Sequence, residues 1–258
     1  MDEVLKVSRV GDHVLLVKIN RPEKRNAING EIAQGIGRAV ALAEQDSQIR
    51  AVVLSSTGDQ SFCAGADLAE VAAGNHAALL TKEGGFAGII EARRTKPWIV
   101  AVDAPAFGGG VEICLACDLL VASEVASFAL PEVKRGIYAG GGGVFRLPRR
   151  IPPAIAYEML LIGDAISAKR GYELGLVNRL VATGQAEAQA LKMAEQIAEG
   201  APIAVQQSLR VARLAGDPDE SALFVAMREA GKLVRESADA KEGTRAFLER
   251  RKPVWTGS

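Results

Sequence analysis

Two segments of this chain share one design, and that design limits the folds open to it. Residues 51–55 form a short, continuous, largely apolar run, followed by the small-residue stretch Ser61-Phe62-Cys63-Ala64-Gly65-Ala66-Asp67-Leu68. Residues 99–102 form another such run, followed by Ala106-Phe107-Gly108-Gly109-Gly110. A strand that is apolar at successive positions has both faces covered, as in a parallel sheet flanked by helices. Residues 119–122 read as a further strand, and residues 14–19 as an earlier one that ends in a turn at Arg21-Pro22. Between them Asn29 reads as an N-cap, with Ile32, Ile36 and Val40 at helical spacing. A helix is expected to open near Gly110. The strand–helix rhythm predicts an α/β chain with a parallel sheet.

The second half reads differently. Residues 153–162, 167–174, 186–199, 203–215, 220–237 and 241–250 carry helical patterns. Ser167 and Pro202 supply start signals, and Gly163, Gly175, Gly200 and Gly216 supply stops. With no low-complexity linker, this helical tail is expected to join the same folding unit or to pack on a neighbouring subunit.

Composition closes off several function classes. The 258 residues allow one large domain, or a core with a small appendage. Lys+Arg and Asp+Glu balance at 31 each, so bulk charge argues for neither nucleic acid nor a membrane surface. No apolar run approaches the roughly 18 residues of a membrane span, and the charged start has no signal-peptide core. Three cysteines, Cys63, Cys114 and Cys117, suit a reducing cytoplasm. Cys114 and Cys117 form a lone C-x-x-C in an apolar stretch, which reads as buried packing rather than a zinc or redox site.

Familiar catalytic signatures are missing. The run from Phe107 to Ile113 starts like a dinucleotide fingerprint, but Ile113 stands where the third glycine belongs. There is no P-loop and no G-x-S-x-G. The two histidines, His13 and His76, lie in no nucleophile motif, so a Ser-His hydrolase and a histidine-rich metal site are both disfavoured.

What is left is the pair of small-residue turns. At the carboxyl ends of parallel strands, two such turns can place two backbone N–H groups around one oxygen. Each turn alone is weak evidence and could also be a tight turn without function. Glu112, in the first turn of the helix opening at the glycines, could equally serve the helix dipole. Glu132, in Leu130-Pro131-Glu132, could be a solvated loop carboxylate.

Read together, the motifs resemble the crotonase superfamily of enoyl-CoA hydratases and isomerases. The carriers are Asn20-Arg21-Pro22-Glu23-Lys24-Arg25-Asn26-Ala27, Phe62 through Leu68, Gly108-Gly109-Gly110-Val111-Glu112, Cys117-Asp118, Pro131-Glu132 and Gly175-Leu176-Val177-Asn178, in that order. The resemblance implies the crotonase (ClpP-like) α/β fold. Its core would be a spiral of repeated ββα turns over residues 1–200, followed by a C-terminal helical trimerisation region over 201–258. It implies an acyl-CoA thioester as substrate, with coenzyme A part of that substrate and no separate cofactor or metal. Backbone N–H groups of Ala66 and Gly109 would form the oxyanion hole. Glu112 would act as base on a water held by both glutamates, and Glu132 would give a proton to the α-carbon. Lys24, Arg25, Ala27, Ala64, Asp67, Leu68, Gly108 and Pro131 would line the substrate. Arg250 would reach a coenzyme A phosphate, in competition with Arg245, Arg251 and Lys252. Assembly would be a homotrimer or a dimer of trimers.

One segment departs from the commonest hydratase pattern. Gly136-Ile137-Tyr138-Ala139-Gly140-Gly141-Gly142-Gly143 replaces a Pro-Gly-Ala-Gly-Gly-type turn after the second glutamate, with Tyr138 in place of proline. Residues 133–137, 145–148 and 251–255 also resemble the carnitinyl-CoA dehydratase branch. The leading expectation is therefore a 2-enoyl-CoA hydratase. A carnitinyl-CoA dehydratase or an isomerase is the alternative, and a non-catalytic CoA- or RNA-binding relative a second one. Both glutamates together favour the hydratase over isomerases, which commonly keep one.

Overall fold

The structure, a computed structural model, describes residues 4–200, 202–214 and 238–251, together with Ser221, Arg228, Lys232, Arg235, Glu236 and Pro253. The expected helix over 220–237 therefore lies almost wholly outside the described residues.

A six-stranded sheet forms the centre. Its order is β1 (Leu5–Val10), β2 (Val14–Ile19), β3 (Ala51–Ser56), β6 (Trp98–Val102), β8 (Leu119–Ser123) and β11 (Arg179–Val181). β1 pairs antiparallel with β2, and every later pairing is parallel. The parallel sheet expected from the apolar runs is thus present, with a strand added at each edge: β1, antiparallel, and β11, parallel. β1 was not expected, because its alternation is mostly exposed and carries Lys6, Ser8 and Arg9.

Both faces of the sheet are covered, which explains the unbroken apolar strands. On one side, helix α7 (Ala186–Ala198) lays Ala186, Ala190, Met193 and Ala194 on Val14, Val53, Ile99, Ala101 and Val121. On the other, α1 (Gly30–Gln45) and α3 (Gly109–Ala116) pack on Val17, Val52, Leu54, Val100 and Leu120. Asn29 caps α1 as expected, its side chain accepting from the Ile32 N–H at 3.0 Å.

A second, smaller sheet carries the site. β7 (Ala106–Phe107) pairs parallel with β9 (Ser127–Ala129), which pairs antiparallel with β10 (Ile166–Ser167). Single bridges extend the ribbon from Ala106 to Cys63 and from Ala66 to Ile28. Each turn of the chain thus gives one long strand to the large sheet and a short one to the small sheet, which is the expected ββα spiral.

The expected later helices appear as α5 (Pro153–Ile162), α6 (Ala168–Glu173), α7, α8 (Pro202–Leu214) and α9 (Ala238–Leu248). Ser167 caps α6, and Gly163 closes α5 in the left-handed conformation. α4 (Gly143–Arg150) was not anticipated; Pro148 lies inside it and reads as a helix breaker. No helix among the described residues is long and apolar enough to cross a membrane.

Candidate active site

Asn26 fixes the first wall of the site. It is fully buried, and its side-chain amide donates to the carbonyls of Thr57 and Ser61, each at 2.8 Å. It also accepts from the Arg21 N–H at 2.9 Å. This ties the 21–27 loop to the turn after β3. From there the Ala64 N–H donates to the Arg25 carbonyl, Ile28 to that of Gly65, and Asp67 to that of Ile28.

The two small-residue turns then meet directly. A Cβ on Gly65 (φ +92°) would stand 3.0 Å from the Gly109 nitrogen and 3.2 Å from the Phe107 carbonyl. One on Gly110 would stand 2.2 Å from the Cys63 carbonyl. Side chains at either position would force the turns apart. The Gly108 N–H is taken by the Ala129 carbonyl at 2.9 Å, and the first bonds of α3 run from the Val111 and Glu112 N–H groups to the Gly108 carbonyl. The N–H groups of Ala66 and Gly109 join none of these bonds among the described residues. Left-handed backbone falls on Gly108 (φ +55°), while Gly109 is the first helical residue.

Glu112 and Glu132 are both buried, at 4% and 8% exposure. Glu132 sits in the short 3-10 turn Pro131–Arg135, and a Cβ on Gly108 would lie 3.0 Å from its Oε1. The two carboxyls differ in their surroundings. Glu112 Oε1 accepts from the Gly143 N–H at the start of α4, at 3.0 Å, and the Gly141 backbone also bonds to the carboxyl. Burial raises its pKa to about 7, against the pull of those two donors and of the Arg146 charge. Burial raises Glu132 to about 8, and the Glu112 charge adds to the rise. Oε2 of Glu132 is buried without a hydrogen-bond partner. The two groups titrate as a pair. Near neutral pH that pair holds a proton, and the environments favour it on Glu132 and the charge on Glu112.

The other residues singled out in the sequence fall in several places. Lys24 and Arg25 are exposed on the 21–27 loop, with Ala27 half-buried beside them, and Ala64 is tied to the Arg25 carbonyl. The Asp67 carboxylate is engaged otherwise: it pairs with Arg21 at 2.6 Å and caps the helix Leu68–Ala72 through Ala69 N–H. Desolvation works against that charge, but these partners prevail and hold its pKa below the usual carboxylate value. Asp67 therefore builds the turn rather than offering a free carboxylate, while Leu68 opens the helix, half-buried. Pro131 is half-buried at the start of the turn bearing Glu132. Arg250 is exposed, just beyond α9, with φ +54°. Two of its competitors are occupied, since Arg251 pairs with Glu242 and Glu249, and Arg245 with Glu242. Lys252 lies outside the described residues.

Two features escaped the sequence reading. One is the pair of donors at Gly141 and Gly143, inside a glycine run that carries no type-specific signal. The other is Phe86, whose ring lies directly on Gly109: a Cβ there would meet Phe86 Cε1 at 2.6 Å and Cζ at 2.8 Å. The cysteines behave as expected. Cys63, Cys114 and Cys117 are buried free thiols, and burial pushes Cys63 and Cys117 up to about 12.

The spiral of paired sheets and the two turns with their adjoining carboxyls define an α/β protein of the crotonase class. Comparison with known proteins agrees over the whole chain. The sequence pattern of the enoyl-CoA hydratase/isomerase family matches residues 9–258. A carnitinyl-CoA dehydratase of Proteus mirabilis (strain HI4320) is 38% identical over 250 residues, covering 95% of each chain. One from Salmonella typhi is 38% identical over 263 residues, covering 100% of each. Among solved structures, a carnitinyl-CoA hydratase from Mycobacterium avium superposes with a TM-score of 0.94 at 42% identity, covering 100% of both chains. An enoyl-CoA hydratase from Mycobacterium tuberculosis H37Rv superposes with a TM-score of 0.80 at 40% identity, also covering 100% of both. The chain belongs to the enoyl-CoA hydratase/isomerase family, and hydro-lyase chemistry on a CoA thioester fits that membership.

Proposed function

We propose that the chain reversibly adds water across the 2,3 double bond of an enoyl-CoA thioester. The observation that carries this reading is the unequal pair of buried carboxyls. Glu112 accepts from the Gly143 N–H, which favours its charge, whereas Glu132 Oε2 is buried without a partner beside that charge, which favours its protonated form. A water between them gives a proton to Glu112 while its oxygen bonds to C3. The double-bond electrons move onto the thioester oxygen, forming an enolate between the N–H groups of Ala66 and Gly109. Glu132 then delivers its proton to C2 as the carbonyl re-forms. Two fixed donors in a dry pocket suit this charge; loss of one costs on the order of 3 kcal/mol in comparable sites. No metal or cofactor is needed for these steps.

The rest of the proposal follows from the same substrate. Lys24, Arg25 and Arg250, all exposed, would meet the coenzyme A phosphates. Residues 201–258 would contribute to a trimer or a dimer of trimers, and three reduced thiols suit the cytoplasm. A neutral chain with few aromatics gives no support to an RNA-binding role. The relatives named for carnitinyl-CoA favour a second reading, in which the acyl chain bears a trimethylammonium group. Following loss of the enoyl-thioester absorbance with crotonyl-CoA, longer 2-enoyl-CoAs and crotonobetainyl-CoA tests both. Turnover of any is expected; preference for crotonobetainyl-CoA selects the second reading, and no turnover on the whole panel refutes both.

A further inference from the structure

The space that a side chain on Gly109 would need is filled by the ring of Phe86. Phe86 ends the hairpin formed by β4 (Leu80–Thr81) and β5 (Gly85–Phe86). Left-handed residues surround it: Gly85 at φ +61°, Ala87 at +55° and Gly88 at +70°. Ala87 is a non-glycine held there fully buried, a conformation that costs energy unless the surroundings enforce it. A Cβ on Gly88 would lie 2.3 Å from the Ala33 carbonyl, so the hairpin is seated hard against α1. This seating puts Cε1 and Cζ of the ring where a Gly109 side chain would begin. Phe86 is half-buried.

We propose that Phe86 is a positioning residue that closes the oxyanion pocket. Its ring fills the side-chain side of Gly109, next to Gly65, holds the thioester oxygen on the Gly109 N–H, and keeps bulk water from the thioester carbon. This rests on the hydratase reading above. Without the ring, water can attack the carbonyl carbon; the C–S bond then breaks, releasing a free carboxylic acid and coenzyme A thiol. That hydrolysis needs only water and substrate.

The test uses full-length Phe86→Leu, Phe86→Ala, Gly109→Ala and the double variant Gly109→Ala/Phe86→Ala. Three quantities are read with crotonyl-CoA or the best substrate of the panel: hydration, thiol release and affinity for free coenzyme A. Phe86→Ala is expected to lower kcat by about tenfold with KM within about threefold, and to raise thiol release per hydration several-fold. Phe86→Leu, which keeps an apolar wall, is expected to retain most of the rate. Gly109→Ala alone is expected to lose about two decades, because its methyl meets the ring. The double variant should recover at least about fivefold of that loss. Should Phe86→Ala fail to fold, Gly109→Ala/Phe86→Leu takes the place of the double variant: recovery of part of the Gly109→Ala loss is expected, and no recovery overturns the proposal. The proposal is overturned by a folded Phe86→Ala with wild-type kcat and thiol release, or by a double variant no better than Gly109→Ala. A wild type inactive on the whole panel overturns the hydratase reading and this one with it. A normal wild type with an unresponsive Phe86 overturns only the latter.

Discussion

At the scale of single residues, the two glutamates make the sharpest claims. Glu112→Gln and Glu132→Gln are each expected to reduce hydration by at least about a hundredfold, the scale of lost acid–base catalysis. Initial rates on the best substrate decide it; near-normal turnover by either variant sinks the two-carboxyl mechanism. A stability effect follows from the same burial. Glu132 has an ordinary value of 4.5 and is raised to about 8 in the fold. Between those values the native chain keeps a proton that the unfolded chain has lost, so this residue's contribution falls as pH rises through the window. Gln cannot ionise. The melting temperature of Glu132→Gln is therefore expected to match wild type near about pH 5, to exceed it increasingly up to about pH 8, and to keep a constant lead above that. Parallel melting curves across that range would contradict the burial argument. The motifs made both positions legible in the sequence. The split between them was not, because it depends on N–H groups of Gly141 and Gly143, and a backbone donor leaves no trace in residue type. Asn26, Asp118 and Asn178, also carried by the motifs, serve the fold. Asn178 exchanges hydrogen bonds with Leu120, and Asp118 accepts from the Trp98 N–H and pairs with Arg213.

At the scale of elements, the turn bearing Glu132 is clamped from two sides. A Cβ on Gly163, at the end of α5, would lie 3.0 Å from the Pro131 Cα. A Cβ on Gly243, in the middle of α9, would lie 1.8 Å from the Arg135 carbonyl oxygen. Arg135 also stacks over Phe247 of the same helix at 4.7 Å. Gly243→Ala sets two effects against each other. Helix propensity favours alanine by about 1 kcal/mol. Overlap with a backbone carbonyl cannot be relieved by a rotamer, and such overpacking costs about 1–3 kcal/mol. The overlap wins, so the variant is expected to melt several degrees lower. Because α9 then shifts the Glu132 turn, kcat should fall as well at temperatures where the variant is folded. A higher melting temperature with unchanged kcat would show that α9 does not bear on the site. Nothing in the 241–250 pattern announced this contact; the helix was legible, its seat was not. The long apolar strands and the capped helices were readable because their periodicity is local. β1 and α4 were not. One has an exposed edge pattern, and the other hides a helix behind four glycines and a proline. The two- and three-residue strands of the small sheet are too short for any period to register.

For the whole molecule, the surface points to assembly. α5 exposes Tyr157 and Leu161, four residues apart on one stripe, at 55% and 75%, with Ile162 beside them at 50%. Ile203 on α8 stands 76% exposed. A contiguous apolar stripe on a helix is uncommon on a monomer and marks a contact surface. α5 is also the helix whose end, at Gly163, touches the turn of Glu132, so whatever covers the stripe bears on the site through that helix. The expected solution mass is that of three or six chains, by light scattering at micromolar concentration. Leu161→Asp puts a charge on the stripe without touching Glu112, Glu132 or either turn. It is expected to shift the mass towards the single chain, and to lower kcat/KM because α5 loses its support. Two results would separate these steps. A wild type that scatters as a clean monomer removes the assembly and leaves the exposed leucine unexplained. A dissociated Leu161→Asp with full activity keeps the assembly but shows that each chain holds a complete site, with Arg250 free to serve only its own substrate.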